Sequence, residues 1–213
     1  ANLSLVSKFN ILKGLSIEAT PYLMASDNFI NQIPTGVQNS NRGVFPIWSY
    51  RQIKARIFGI DADAELKILD HLKWNTGFSA LRGDDLSNNE PLILMMPTNL
   101  RNSVELKLND PDNFYLRLEN VSVFRQNRFP IRNQNVDFIE NGTFFSEELD
   151  LSTPPPAYTV FNASVGADVA KNFNINFRIN NIFNTEYREY LNRLRFFMPE
   201  NGRNFIITLK YNF

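Results

Sequence analysis

The chain has 213 residues, with 22 Lys+Arg against 22 Asp+Glu and a formal net charge of zero. That balance excludes a nucleic-acid binder, which needs a basic excess to neutralise phosphates. No cysteine is present, which excludes disulfide scaffolds and thiolate metal sites, and no apolar run reaches the roughly 18 residues of a membrane-spanning helix. Ala1 to Val6 lack a charged segment followed by an apolar core, so no signal peptide is expected there. In chain order, Leu3, Leu5 and Phe9 alternate with Asn2, Ser4 and Lys8, and Asn10 to Gly14 supply a turn. Leu15, Ile17, Ala19 and Leu23 then alternate with Ser16, Glu18, Thr20 and Tyr22, although Pro21 costs this strand one ladder hydrogen bond. From Asn28 to Trp48 the period is lost, and a long loop is expected.

A third strand sets Ile60, Ala62, Ala64, Leu66 and Ile68 against Asp61, Asp63, Glu65 and Lys67. Four ionisable side chains on one face need water. After a turn at Asp70-His71, Leu72, Trp74, Phe78 and Ala80 alternate with Lys73, Asn75 and Ser79, and Gly83 to Thr98 reads as a second long loop. The fifth strand sets Val104, Leu106 and Leu108 against Ser103, Glu105 and Lys107, and ends at the turn Asn109 to Asn113. The sixth opens with Phe114, Leu116 and Leu118 against Tyr115, Arg117 and Glu119. Its phase slips at Asn120, where a bulge is expected because Val121 and Val123 fall on the other face. Gln126 to Pro156 is aperiodic. Phe161 to Val169 then alternates with Asn162 to Asp168, and a turn at Lys171-Asn172 leads to Phe173, Ile175, Phe177 and Ile179 against Asn174, Asn176, Arg178 and Asn180. A last loop, Ile182 to Gly202, precedes Phe205, Ile207, Leu209, Tyr211 and Phe213, an alternating strand broken only by Ile206.

This pattern reads as all-β: an antiparallel meander of about nine strands without a convincing helix. Short turns alternate with long connections, which gathers all turns at one rim and all loops at the other. Transmembrane β-barrels show that asymmetry, with an apolar face toward lipid and a polar face toward a wet lumen. Strands of about ten residues at ~3.3 Å each, tilted about 40°, cover a hydrocarbon band of about 25 Å. Aromatics at 13%, 19 of them Phe, are enough for aromatic girdles. The alternative is a soluble all-β ligand-binding module of lectin-like type.

Asn180-Asn-Ile-Phe-Asn184-Thr-Glu-Tyr187, Tyr190-Leu-Asn-Arg-Leu-Arg-Phe-Phe197, Gly202-Arg-Asn-Phe205 and the closing Tyr211-Asn-Phe213 resemble the C-terminal signature of TonB-dependent outer-membrane receptors, closest to the iron-complex type of Bacteroidetes-like bacteria. Ala55 to Asp61, Leu81-Arg-Gly83, Pro91-Leu92 and Met96-Pro97 fit the same pattern. The resemblance implies that residues 1–213 are the C-terminal part of a larger, roughly 22-stranded barrel, without its plug and first strands. An odd set of strands cannot close alone, so Leu3 to Phe9 and Phe205 to Phe213 should each pair with strands outside this sequence. It further implies import of a scarce nutrient, foremost a ferric chelate. The implied partners are the rest of the receptor, TonB through the plug, outer-membrane lipid and a surface lipoprotein. Tyr211 and Phe213 resemble the terminal signal read by the barrel-assembly machinery.

Arg188, Arg193 and Arg195, with Arg203, gather in the last loop and suit an anionic ferric chelate, because guanidinium binds carboxylate-like anions in a bidentate manner. Glu186, Glu189 and Glu200 are close in sequence, so local pairing is the competing use of those arginines. His71, the single histidine, lies on a turn and is not expected to be a ligand. Asp61, Asp63 and Glu65 lie collinear along a strand, which suits a solvated face better than a metal site. Met95, Met96, Phe144 and Phe145 fall in long connections, where loop packing is the default. No nucleophile–base set or phosphate-cradling loop occurs, so no catalysis, cofactor or metal is expected.

Overall fold

The structure is a computed structural model, and it describes residues 1–40, 43–108, 113–131, 133–140, 143–150, 153–170 and 172–212. The strands are β1 (Asn2–Ser4), β2 (Ser7–Leu12), β3 (Leu15–Ser40), β4 (Gly43–Leu69), β5 (Leu72–Asp85), β6 (Glu90–Pro91), β7 (Asn99–Leu108), β8 (Phe114–Val123), β9 (Asn133–Glu140), β10 (Thr143–Asp150), β11 (Tyr158–Ala170), β12 (Phe173–Asn180) and β13 (Asn204–Tyr211). One 11-stranded antiparallel sheet runs in the order β1-β3-β4-β5-β7-β8-β11-β12-β13, with β2 also on β3 and β6 on β5; β9 and β10 form a separate hairpin. The sheet thus has nine positions along its path, as the alternation predicts. The edge strands β1 and β13 are not paired with each other, so the described sheet is a curved wall and not a closed small barrel.

The break between β1 and β2 has a local cause. Both strands share one register on β3, Ser4 facing Tyr22 and Ser7 facing Ala19. Between them the Leu5 amide donates to the Pro21 carbonyl at 3.1 Å, but Pro21 has no N–H to return. The lost ladder bond expected at Pro21 therefore splits the neighbouring strand.

Some expectations need correction. The stretch from Asn28 to Trp48 is not a loop, because β3 and β4 continue through it as paired strands. At about 3.3 Å per residue, the 26 residues of β3 run more than twice as far as a tilted strand needs to cross the hydrocarbon. Its upper part stands clear of the band, where neither face has to be apolar. Register shifts at Ser26/Phe29 and Pro34/Gly36 also reset the alternation. The expected bulge at Asn120 is absent as well: β8 keeps continuous register with both β7 and β11. Val121 stays on the inner face because the last loop covers it there, together with half-buried Tyr158 and buried Val160. The absence of helix holds except for one 3₁₀ turn, Arg193–Phe196.

The two faces differ as the alternation demands. Outward side chains are large, apolar and open, among them Ile60, Phe78, Val104, Leu118, Phe161 and Ile207. A continuous exposed apolar surface of this kind marks contact with lipid or a partner. Inward residues form rungs across strands: Glu105, Arg117, Ser164 and Arg178 pair in sequence along β7, β8, β11 and β12. Two rungs use glycine for close approach. A Cβ on Gly166 would lie 2.4 Å from the Tyr115 ring, and one on Gly59 would lie 2.6 Å from the Tyr22 hydroxyl. The facing glycine lets each tyrosine lie flat on the wall and leaves the lumen open.

Candidate functional site

The inner wall carries charge of both signs, with Lys8, Lys67 and Lys73 among its acids and Glu105 and Glu119 among its bases. Glu18, Asp61, Asp63 and Glu65 lie on β3 and β4, while Arg101, Lys107, Arg117 and Arg178 lie on β7, β8 and β12. Glu119 ties the basic side together: Arg117 reaches it at 3.2 Å, Arg178 at 3.9 Å and Asn162 Nδ2 at 3.1 Å. An open cleft of about 620 Å³ runs along these residues. Such half-exposed pairs contribute only about 0.2–1 kcal/mol each. Their main effect is to hold a hydrated wall of fixed charge. Asp61, Asp63 and Glu65 remain spread along it, each opposite a different β3 residue, as their spacing requires. Among the described residues no group of acids and histidine converges on a metal position. His71 sits on the turn at the opposite rim, where its carbonyl accepts from the Lys107 amide at 2.8 Å.

Above the wall, the long connections meet. Residues 91–98 fold back into the interior, and Leu92 is fully buried against Ile53 and Ala55, with Phe29, Ile57 and Met95 around them. Met95 thus packs as loop core, the default reading for it. Gln126 Nε2 donates to the Met95 carbonyl at 2.9 Å, which joins the connection after β8 to this one. Phe144 and Phe145 belong to the strands of the β9–β10 hairpin and not to a loop.

The last connection is anchored at Asn181, which is 4% exposed and has φ of +51°. Its Nδ2 donates to the Thr185 carbonyl at 2.8 Å and to the Asn201 carbonyl at 3.4 Å, and its Oδ1 accepts from the Thr185 amide at 2.8 Å. Its own amide donates to Asn162 Oδ1 at 2.9 Å, so one side chain and one amide pin both ends of the loop to β11. Nothing in the alternation singles out Asn181; its hint in the sequence is its place in the Asn180 to Tyr187 stretch that carries the family resemblance.

The three loop arginines have different fates. Arg195 is buried, stacks 4.6 Å from the Tyr190 ring and 4.5 Å from the Phe196 ring, and donates to the Tyr190 carbonyl. Arg188 donates to the Arg195 carbonyl. These two hold the loop's shape. Arg193 is exposed on the 3₁₀ turn, where it donates to Gln32 Oε1 and lies 5.2 Å over the Trp48 ring of the β3–β4 hairpin. Phe197 meets Phe45 of the same hairpin at 6.0 Å between ring centroids. The loop therefore bridges the mouth to the hairpin tip. Tyr211 ends β13 opposite Phe173, near the short-turn rim; Phe213 lies outside the described residues.

Among the described residues Glu189 pairs with no arginine. Burial, and then the nearby Glu200 carboxylate, hold its carboxyl above the usual carboxylate range. A raised folded pKa means that this group favours the folded loop fully only below its unfolded pKa of about 4.3, and that the contribution is lost as pH rises through the folded value. Glu189→Gln should therefore slow amide exchange across residues 183–201 at pH 7 and leave it unchanged near pH 4. Equal exchange in both proteins at pH 7 would disprove the strain.

Residues 2–182 match the family described as TonB dependent receptor-like, beta-barrel. No curated protein sequence matches. Among solved structures, the copper transporter OprC superposes with a TM-score of 0.75 at 18% identity, over 100% of this chain and 30% of its own. A mutant of the ferric enterobactin receptor PfeA of Pseudomonas aeruginosa gives 0.67 at 16% identity, over 100% and 31%. The siderophore receptor PirA of Acinetobacter baumannii gives 0.65 at 17% identity, again over 100% and 31%. The chain spans about a third of the length of these proteins, and none of them supports the narrower Bacteroidetes-like form. The soluble-module alternative is set aside, since the matched family is one of receptors. The open wall, its apolar outside, its charged inside and the family match together make this chain a member of the TonB-dependent receptor β-barrel family, residing in the outer membrane.

Proposed function

We propose that this chain is the C-terminal part of an outer-membrane receptor that takes up a ferric chelate, with the missing strands closing the barrel and a plug filling its lumen. The observation that carries this reading is the junction of the last loop and the β3–β4 hairpin across the mouth, above an open polar lumen. Arg193 there is exposed beside the indole of Trp48, a surface suited to an anionic complex with flat ligand groups. Coupling to TonB would pass through the plug, and a surface lipoprotein would sit over the mouth. The β1–β2 edge and β13 would pair with the remaining strands, since open edges in lipid leave backbone groups unsatisfied. The aromatic end at Tyr211 and Phe213 would serve as the assembly signal.

In the complete receptor, Arg193→Ala is expected to weaken binding of the ferric chelate by about tenfold, one charge-assisted contact, with partial recovery in Arg193→Lys. Arg195→Ala should instead loosen the loop, seen as faster amide exchange over 188–197. Unchanged affinity of the Arg193→Ala receptor, with the loop intact, would remove the arginine from the site.

A further inference from the structure

The apolar band on β4 runs through outward residues Phe58, Ile60, Ala62, Ala64, Leu66 and Ile68. Ten residue steps at ~3.3 Å, tilted about 40°, make about 25 Å, the full height of the hydrocarbon. On the long-loop side the outward face then changes abruptly. Arg82 lies opposite Phe58, and Arg56 lies opposite Asp84. Arg56 Nη2 reaches Asp84 at 2.8 Å, and Arg128, from the connection after β8, reaches the other carboxylate oxygen at 2.7 Å. Arg82, Arg125 and Arg128 line one cleft of about 140 Å³. Asp84 thus pairs with two of these four guanidiniums, and the four together exceed its single carboxylate by three positive charges. Among the described residues Arg82 and Arg125 have no ion-pair or hydrogen-bond partner. Lys54 and Asp27, higher on the same face, pair with each other at 3.7 Å. At this height β8 and β11 present uncharged Asn120, Ser122 and Thr159, and before β13 the Nε of Arg203 is bound to the Ile182 carbonyl at 2.8 Å.

We infer that this cluster is a binding site for the phosphate-bearing headgroup of an outer-leaflet lipid. Phosphate is what a group of partly unpaired guanidiniums recognises, through planar two-point hydrogen bonding. Basic residues at the rim of an apolar band are placed to meet anionic headgroups. The register puts Arg56, Arg82 and Asp84 on the outward side of the wall with Phe58 and Ile60, against the bilayer, which selects the lipid over a soluble anion. Asp84 holds Arg56 and Arg128 in place, and the Phe58 ring, 5.6 Å below the Arg56 guanidinium, provides apolar wall for the acyl chains.

The test uses the complete receptor, folded in detergent, titrated with diphosphorylated lipid A and with the same lipid stripped of phosphate. The triple variant Arg82→Gln, Arg125→Gln, Arg128→Gln should lose about tenfold or more in affinity for the phosphorylated lipid. The stripped lipid should bind wild-type receptor as weakly as the variant binds the intact one. Excess inorganic phosphate should compete only weakly. Equal binding by the folded triple variant would overturn the site, and full displacement of lipid by inorganic phosphate would make it a free-anion site instead. If the triple variant does not fold, as judged by heat-modifiable electrophoretic mobility, Arg82→Gln alone replaces it, with about threefold loss expected and no loss counting against the site.

Discussion

Replacing Phe177 by Arg is expected to cost the assembled barrel about 2–4 kcal/mol, whereas the same change at its neighbour Asn176 should cost less than about 1 kcal/mol. Phe177 lies midway along β12, between Val165 and Ile207 on the outward face, and stacks with Phe205 at 6.2 Å. A guanidinium there must enter hydrocarbon near its midplane. Asn176 faces the hydrated cleft beside Arg178, where an added arginine stays in water. Urea titration of the complete receptor refolded into bilayers measures both costs. Equal costs would mean that the two faces are assigned the wrong way round.

Asn181→Ala should open the last loop by about 3 kcal/mol. Three side-chain hydrogen bonds disappear in a buried setting, and alanine must hold a left-handed φ that asparagine tolerates more readily. By the factor of ten per 1.4 kcal/mol, tryptic cleavage after Arg188 or Arg193 in the native receptor should rise about a hundredfold. Asn181→Gly keeps the backbone relaxed but loses the bonds, so it should fall between alanine and wild type. Cleavage of the alanine variant at the wild-type rate would show that the loop is held elsewhere.

The membrane part of the fold was legible because the bilayer imposes a period of two on every spanning strand. Phe173 to Asn180 and Ile60 to Ile68 show it without a fault. Above the band that constraint ends, and so does the legibility: β3 and β4 continue as strands, but water on both faces and two bulges erase the alternation. At Val121 the same rule misled, since a loop covering the inner face makes an apolar residue there as welcome as one facing lipid. The site was legible only as a collection of arginines. Their separation into structural Arg188 and Arg195 and exposed Arg193 depends on which ring or carbonyl lies nearby, and that follows from tertiary contact. The cluster at Arg56, Arg82 and Arg128 was hidden for the same reason, because Asp84 joins Arg128 of the distant connection after β8 to Arg56 on β4.

Spin labels placed singly from 174 to 180 in the complete receptor, reconstituted in bilayers, give the most direct test of an outward lipid face and an inward aqueous one. Collision with oxygen, which concentrates in lipid, should peak at 175, 177 and 179, and collision with a water-soluble nickel chelate should peak at 174, 176 and 178. A uniform profile, or the opposite phase, would contradict the membrane barrel wall.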